Sequence, residues 1–454
     1  MITNENNIEF KYKFFTAEES VITKDWAAGS AKQIDSIEFI IRSTSISQES
    51  IKIPPALLKI IDEPIVNVLD HIVRTTGQIN TVTGLHVTLN HTGEIIIANN
   101  GPGIEIVVHK IASEKLKREI YIPTFIFGEL FQGANHNNKD SIIGGVNGLG
   151  AKLTNCFSSE FKVETVDSTR QLHFSQTWRN HKSIEELPKI SKYTKSPFTV
   201  LTFTPDYTLF GYAEFNEVLY NLLNELIYTR LMFASAYSKL LGSKLAITFK
   251  SDESRNIDCS MKQLLELNTK EIVEIKNKIY PKWEVLIGIG NVPMCISNVN
   301  GIVVKDGKHF KHVYNAILDK IKEKIRKVFH DKELKFANSI ITNSLSVFIN
   351  CQIPNPSWTG QRKDVLDIDL KKLPEIPVES KHITAIVNFL KDKLVDTVVD
   401  AESKKRKKID YDKYESAIRA GTKDSLKCTL IAVDGDSAMS QVRNGISEHL
   451  KWDY

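Results

Sequence analysis

Residues 144–152 read Gly-Gly-Val-Asn-Gly-Leu-Gly-Ala-Lys and lead into a helix that we predict from Ala151 onward. Glycine lacks a Cβ atom, so such a segment can turn tightly and let the backbone approach a ligand closely. Successive backbone N–H groups before a helix can bind an anion, and the helix N-terminus adds positive potential. No Gly-Lys-Ser/Thr follows and no βαβ unit surrounds the segment, which excludes a Walker A loop and a dinucleotide fingerprint. By itself the segment predicts only a phosphate site.

An amphipathic helix is predicted upstream of this segment, over residues 56–74. Its apolar residues recur with the spacing of one helix face. Glu63, Asn67 and Asp70 lie at i, i+4 and i+7, so they form one polar stripe on the same helix. A polar stripe alone usually faces solvent, and its functional reading depends on the motifs around it.

A predicted hairpin separates the helix from the glycine-rich segment. Residues 85–89 and 94–98 alternate apolar and polar side chains, which is typical of half-buried strands. The second strand runs into Asn99-Asn100-Gly101-Pro102-Gly103, where a side-chain amide at the strand end could read a purine edge. As with the stripe, an ordinary turn is the simpler reading of this motif alone.

A second unit is predicted from about residue 244. Its elements are strands at 283–288, 294–298 and 345–351 and helices at 310–328 and 383–399. A basic run at 404–408 predicts a linker, and a short strand at 428–433 precedes Asp434.

The composition favours a soluble intracellular protein. The net charge is only +4 in 454 residues, so a basic nucleic-acid surface must be local. The five cysteines are far apart without a Cys-x-x-Cys pair, which argues against a zinc site and a disulfide framework. The polar N-terminus does not fit a signal peptide, and no apolar run is long enough to predict a membrane span.

The order of these motifs resembles the GHKL ATPases, and several stretches are similar to eukaryotic-type type IIA DNA topoisomerases in particular. These stretches are residues 57–63, 121–123, 145–155, 202–206, 300–303, 361–363, 421–431 and 435–438.

The resemblance implies an α/β fold. Its expected parts are a GHKL (Bergerat) ATPase sandwich with an N-terminal arm at 1–240, a ribosomal-S5-like transducer domain at 241–400, a basic linker at 401–423 and an incomplete Toprim segment at 424–454. A chain that ends shortly after entering the Toprim domain is not expected to cleave DNA.

The resemblance also implies roles in ATP hydrolysis. Glu63 would be the general base that polarises the attacking water, and Asn67 would ligate Mg²⁺. Asn99 would read adenine. Lys363, with Gln361, would cross from the transducer domain to the γ-phosphate and stabilise the charge of the transition state. The remaining residues implied at ATP are Asp70, Ile104, Gly133, Ala134, Asn135, Gly145, Val146, Asn147, Gly148, Leu149, Gly150, Ala151, Lys152 and Arg362. For His71, a structural role is at least as well supported as a role at the nucleoside or in support of Glu63.

Several positions depart from the family pattern. Val146 stands where relatives usually have arginine, Leu149 replaces an aromatic residue, and Gly133-Ala134 replaces a serine pair. The family's N-terminal Arg-Pro-Asp-Thr-Tyr-Ile-Gly stretch is absent. Pro64 removes the helical hydrogen bond to the Ile60 carbonyl and predicts a kink. These departures are similar to the branch found in large DNA viruses.

The partners implied are ATP, Mg²⁺, a second copy in an ATP-stimulated homodimer and double-stranded DNA, but no membrane. Cations that could meet a DNA duplex are Lys322, Lys324, Arg326, Lys327, Lys332 and Lys335, although a solvated helix face explains them equally well. Asp434 is a candidate Mg²⁺ ligand of a complete Toprim domain. The expected location is the nucleus or a viral replication site in the host cytoplasm. Two alternatives remain, another GHKL enzyme such as a mismatch-repair ATPase, and a nucleotide-gated clamp that does not hydrolyse ATP.

Overall fold

The computed structural model describes residues 16–78, 81–130, 150–277, 282–290, 292–328, 340–360, 363–390 and 425–449. The chain divides into two compact units. The first unit comprises residues 1–290, 294–315 and 346–378, and the second comprises residues 291–293, 316–345 and 379–454.

Helices occur in both units. In chain order they are α1 Ala17–Thr23, α2 Pro55–Thr75, α3 Lys110–Leu116, α4 Ile122–Gly128, α5 Gly150–Cys156, α6 Glu217–Leu241, α7 Met261–Glu266, α8 Lys308–Val328 and α9 Asp436–His449. Residues 340–344 and 380–390 are helical as well. None of the described helices is both long enough and apolar enough to cross a membrane.

The strands lie between these helices in consecutive runs of two or more. In chain order they are β1 Ile34–Arg42, β2 Ser45–Ile53, β3 Gly84–Leu89, β4 Ile95–Asn100, β5 Ser158–Asp167, β6 Leu172–Arg179, β7 Ile184–Glu185, β8 Lys189–Lys192, β9 Phe198–Pro205, β10 Ala246–Lys250, β11 Ser254–Ile257, β12 Glu271–Asn277, β13 Trp283–Ile289, β14 Cys295–Val299, β15 Ile302–Val304, β16 Asp306–Gly307, β17 Leu345–Cys351 and β18 Val365–Leu366.

A nine-stranded mixed sheet forms the base of the first unit. Its order is β11-β10-β3-β4-β9-β5-β6-β7, with β8 on β6. Strand β10 runs parallel to β3. The neighbouring pairs β3–β4, β4–β9 and β9–β5 are antiparallel. Apolar residues of α2, α5 and α6 share one buried core with this sheet. Strand β4 and the helix that carries Glu63 therefore belong to two layers, a sheet and the helices packed on it, that share one core.

A second sheet has the order β12-β13-β17-β14-β15. Strands β14 and β17 are parallel, whereas β12 and β13 form an antiparallel pair. Apolar residues from α6, α7, the β1–β2 hairpin and this sheet form another core cluster. Helix α6 thus contributes to both cores of the first unit.

Most of the elements predicted from periodicity are confirmed, and their ends follow local chemistry. Helix α6, for example, begins at Glu217, because the side chain of Asn216 caps it by accepting the Leu219 N–H. Helix α2 continues through Pro64 as far as Thr75.

The predicted strand at residues 428–433 is wrong. Residues 425–427 form a short 3-10 turn, and the six residues that follow form no strand. Leu430 is 85% exposed. An apolar run becomes a strand only when a neighbouring strand takes its backbone hydrogen bonds, and no described strand pairs with this run.

Gly103 shows how closely the loop after β4 packs on the sheet. Its φ angle is +72°, and a Cβ at this position would collide with the carbonyl oxygen of Val166 on β5. Gly77 has a similar φ of +83° but no atom within 4 Å of its Cβ position. The two glycines therefore separate the cost of the left-handed backbone from the cost of a collision.

We expect Gly103→Ala to lower the free energy of unfolding by more than Gly77→Ala. Both substitutions place a side chain in the left-handed region, at about 1–2 kcal/mol. Only Gly103→Ala adds overpacking, of about 1–3 kcal/mol. Urea unfolding of both variants measures the difference, and equal losses would contradict the close packing of this loop.

Candidate active site

Glu63 lies in the middle of α2, and only 1% of its surface is exposed. Its Oε1 accepts a hydrogen bond from Nζ of Lys363 at 2.8 Å. The Nζ of Lys59, one helical turn earlier, lies 2.6 Å from the same oxygen. Both lysines are buried as well. A carboxylate and two ammonium groups therefore meet in the interior of the first unit.

The two lysines control the protonation of Glu63. Burial alone would raise the pKa of Glu63, but the charges of Lys363 and Lys59 and their hydrogen bonds outweigh burial and lower the pKa to about 2. Burial lowers the pKa of Lys59, and the attraction of Glu63 opposes that shift. Glu63 is therefore an ionised hydrogen-bond acceptor at neutral pH.

Gly150 brings the end of the glycine-rich segment to the other oxygen of Glu63. Oε2 is buried and has no hydrogen-bond partner among the described residues. A Cβ at Gly150 would collide with this oxygen and would lie 3.7 Å from Nδ2 of Asn67. Glycine is thus required here by close approach. A buried carboxylate oxygen without a donor is a place where a water molecule or a ligand group can bind.

Asn67 and Asp70 continue the polar stripe of α2, as the sequence predicts. Asn67 is half-buried, and its side chain makes no hydrogen bond within the described part of the chain. Asp70 is buried. His71 is half-buried, and burial followed by the nearby Arg74 lowers its pKa to about 4. The side chain of Asn67 thus lies beside Gly150, one helical turn after Glu63.

Lys152 of α5 lies near the aromatic ring of Phe125. It is buried, and its Nζ lies 5.9 Å from the centre of the Phe125 ring on α4. Burial lowers its pKa to about 8. Glu63 is held by Lys59 and Lys363, whereas Lys152 contributes its charge on the α4 side of α5. Ala151, beside it, is buried.

The two asparagines at the end of β4 have different surroundings. Asn100 Oδ1 accepts the N–H groups of Thr83 and Gly84, each at 2.8 Å, and so ties β4 to the start of β3. Asn99 is buried, and its Nδ2 donates to the Asn100 carbonyl at 2.7 Å. The N–H of Ile104 donates to Oγ1 of Thr165 at 3.1 Å. Asn100 therefore stabilises the sheet by joining two strands, and Asn99 is the amide that the sequence predicts at the adenine site.

The loop that presents Lys363 is held in an unusual conformation. Lys363 has a φ of 61°, in the left-handed region that residues other than glycine rarely adopt. Its N–H bonds to the Gly360 carbonyl at 3.1 Å, and the Asp364 carbonyl accepts the Lys305 N–H at 2.8 Å. Such conformations persist where the surrounding structure holds them, and they are frequent at functional sites.

Asp62, next to Glu63, belongs to a different ion-pair group. Its carboxylate lies 3.0 Å from Nε of Arg230 on α6. Arg230 is also 3.6 Å from Glu38 of β1, and Glu38 pairs with Lys305 at 2.6 Å. Asp62 thus pairs with Arg230, and Glu63 is the carboxylate that accepts the hydrogen bond of Lys363.

Two site residues escape the sequence patterns. Lys59 is signalled only by its i, i+4 spacing to Glu63, which on most helices marks a surface ion pair. Thr154 of α5 donates from Oγ1 to the Ile60 carbonyl of α2 at 2.9 Å. Nothing in the local sequence around Thr154 indicates that contact.

Other predicted site residues lie outside the described part of the chain. They are Gly133, Ala134, Asn135, Gly145, Val146, Asn147, Gly148, Leu149, Lys332, Lys335, Gln361 and Arg362.

The remaining predicted residues lie in the second unit. On α8, Lys322 and Lys324 are half-buried, Arg326 and Lys327 are exposed, and Lys327 pairs with Glu323 at 2.7 Å. Asp434 is exposed. In the described ranges, no three His, Cys, Asp or Glu side chains are grouped to hold a metal ion.

Comparisons with known proteins show which proteins this chain is similar to. The family model described as DNA gyrase B matches residues 251–410. DNA topoisomerase 2 of Saccharomyces cerevisiae is 32% identical over 96% of this chain and 32% of its own length. DNA topoisomerase 2 of Acanthamoeba polyphaga mimivirus is 29% identical over 98% of this chain and 36% of its own length.

A solved structure extends the match to the fold. The crystal structure of the ATPase region of Saccharomyces cerevisiae topoisomerase II superposes with a TM-score of 0.72 at 27% identity, covering 85% of this chain and 99% of that one. The chain spans about a third of the length of the curated relatives that it matches. Over most of its length, the chain is therefore similar to the ATPase region of type II DNA topoisomerases.

Proposed function

We propose that this chain binds ATP with Mg²⁺ and hydrolyses it, with Glu63 as general base and Lys363 at the γ-phosphate. One observation carries the proposal. Lys363 lies 2.8 Å from Glu63, 300 residues earlier in the chain, and Gly150 closes on the other oxygen of the same carboxylate. An acid, a cation and the end of a glycine-rich segment meet at one point, which is what phosphoryl transfer to water requires.

The ion pair suggests how ATP prepares its own hydrolysis. A carboxylate with a pKa of about 2 accepts hydrogen bonds but takes up a proton poorly. When Lys363 turns towards phosphate oxygens, it stabilises the ionised form of Glu63 less. The pKa of Glu63 then rises towards the range of an effective base, and Oε2 can accept the hydrogen bond of the attacking water.

Asn67 suits Mg²⁺. Its amide oxygen is a hard donor, its side chain makes no hydrogen bond within the described residues, and it lies one helical turn from Glu63 beside Gly150. Mg²⁺ usually takes one or two protein oxygens together with phosphate oxygens and waters. The ion would neutralise charge on the phosphates, and Asn67 would hold it on the side of α2 that faces them.

The wider proposal follows from the relatives. The domain boundaries at residues 240, 400 and 423 are proposed on their pattern, as are an ATP-stimulated homodimer, a transported DNA duplex, the viral branch, and the nuclear or viral-replication-site location. On α8 the exposed Arg326 is a candidate DNA contact, whereas Lys327 is already paired with Glu323. The role of Asp434 as a Mg²⁺ ligand of a complete Toprim domain belongs to the same wider proposal.

A clamp that binds ATP without turnover is the second candidate. The observation in its favour is the low pKa of Glu63, because a base held by two lysines acts only after one of them leaves. Turnover of the unaltered chain separates this clamp from the enzyme.

Glu63→Gln should abolish hydrolysis while Mg-ATP still binds. Loss of a general base lowers turnover by about 10²–10⁴-fold. Steady-state phosphate release, normalised to bound nucleotide, measures the effect. The control is Glu114→Gln, which alters an exposed carboxylate on α3. Wild-type turnover in Glu63→Gln would remove Glu63 from the reaction, and binding without turnover in the unaltered chain would establish the clamp.

Lys363→Gln should weaken ATP binding while ADP binding stays the same, because the proposed contact is with the γ-phosphate. Turnover should also fall by about 10²–10³-fold, as for the loss of one transition-state donor. Calorimetric titration with both nucleotides measures the difference, with the exposed Lys371→Gln as control. Equal losses for ATP and ADP would place Lys363 away from the γ-phosphate.

A further inference from the structure

Pro64 takes away one donor from the helix that carries Glu63. Proline has no N–H, so the carbonyl of Ile60, four residues earlier, loses its helical hydrogen bond. Ile60 is fully buried. Water does not reach a carbonyl in that position, and a buried acceptor that loses its donor destabilises the fold.

Thr154 supplies the missing donor from another helix. Its Oγ1 donates to the Ile60 carbonyl at 2.9 Å, and Thr154 is itself fully buried. Its own carbonyl accepts the Ser158 hydroxyl at 2.6 Å, which continues the chain of hydrogen bonds into β5. The bond therefore joins α5 to α2 where α2 lacks its own bond.

The same two helices meet at the candidate active site. Gly150 lies one turn before Thr154 on α5, and Glu63 lies about one turn after Ile60 on α2. Gly150 already closes on Oε2 of Glu63, and any outward movement of α5 would open this contact. The Thr154 bond is thus one helical turn from the point where the glycine-rich segment meets the carboxylate.

We propose that Thr154 is a positioning residue for ATP hydrolysis, which acts by replacing the donor that Pro64 removes and by fixing Gly150 against Glu63. The inference rests on the proposed function. Thr154 touches neither nucleotide nor water in this scheme. Its hydroxyl is required only while residue 64 is proline, and this condition makes the proposal testable by a second substitution.

A double-mutant cycle tests the proposal on the whole chain. The variants are Thr154→Val, which keeps the shape but loses the hydroxyl, Pro64→Ala, which restores the N–H, and the two combined. Thr154→Ser serves as the conservative rescue. Each variant is assayed for kcat per bound nucleotide, for KM and for Tm.

Thr154→Val should lower kcat about tenfold, with KM changing less than about twofold, because Glu63 acts on the transition state. Its Tm should fall by roughly 3 °C. Thr154→Ser should behave as the unaltered chain. In the Pro64→Ala background, Thr154→Val should change neither kcat nor Tm appreciably.

Two results would overturn the proposal. One is an equal loss of kcat from Thr154→Val in both backgrounds, since the hydroxyl would then act elsewhere than on the Ile60 carbonyl. The other is a lowered Tm with unchanged kcat per bound nucleotide, which would reduce Thr154 to a stabilising residue.

Failure of the proposed function would look different. The unaltered chain would then show no turnover in any assay. The Tm values alone would then test whether the Thr154 hydroxyl replaces the donor that Pro64 removes, which is the hydrogen-bond exchange. A Tm loss that disappears in the Pro64→Ala background would uphold the exchange, and a loss of equal size in both backgrounds would overturn it.

Discussion

A carboxylate in the middle of a buried helix is stable only where cations meet it, because removing an unpaired charge from water is very costly. Glu63 satisfies this condition with Lys59 from its own helix and Lys363 from a loop 300 residues later. This charge pairing ties the loop of Lys363, near the end of the first unit's sequence, to helix α2. A phosphate group that competes for Lys363 therefore acts on the same bond that holds the loop in place, so that nucleotide state and loop position become linked.

Neighbouring residues of the motif at the end of β4 make different contacts. Asn100 holds the start of β3, whereas the side-chain amide of Asn99 beside it donates to the Asn100 carbonyl. Gly103 is required by the carbonyl of Val166, and Gly150 by the carboxylate of Glu63. The glycine-containing segments that we propose bind nucleotide therefore also pack against the sheet and against α2.

Periodicity and motif order predicted much of this structure. Helix α2 and strands β3, β4 and β17 follow from local pattern, and the proximity of Lys363 to the Glu63 region follows from family resemblance. The partners of Ile60 and Asp62 do not, because side-chain hydrogen bonds between helices depend on how distant segments pack. The β1–β2 hairpin, rich in polar residues, was missed for lack of a clear apolar alternation, and residues 428–433 were mistaken for a strand because strand pairing is not encoded locally.

The most direct measurement is a crystal structure of the chain with Mg²⁺ and a non-hydrolysable ATP analogue. The γ-phosphate should lie within hydrogen-bond distance of the Lys363 ammonium, with a water between it and Oε2 of Glu63 and with Mg²⁺ bound to the oxygen of Asn67. A nucleotide bound away from these groups, with Lys363 still paired to Glu63, would contradict the assignment of this cluster to ATP hydrolysis.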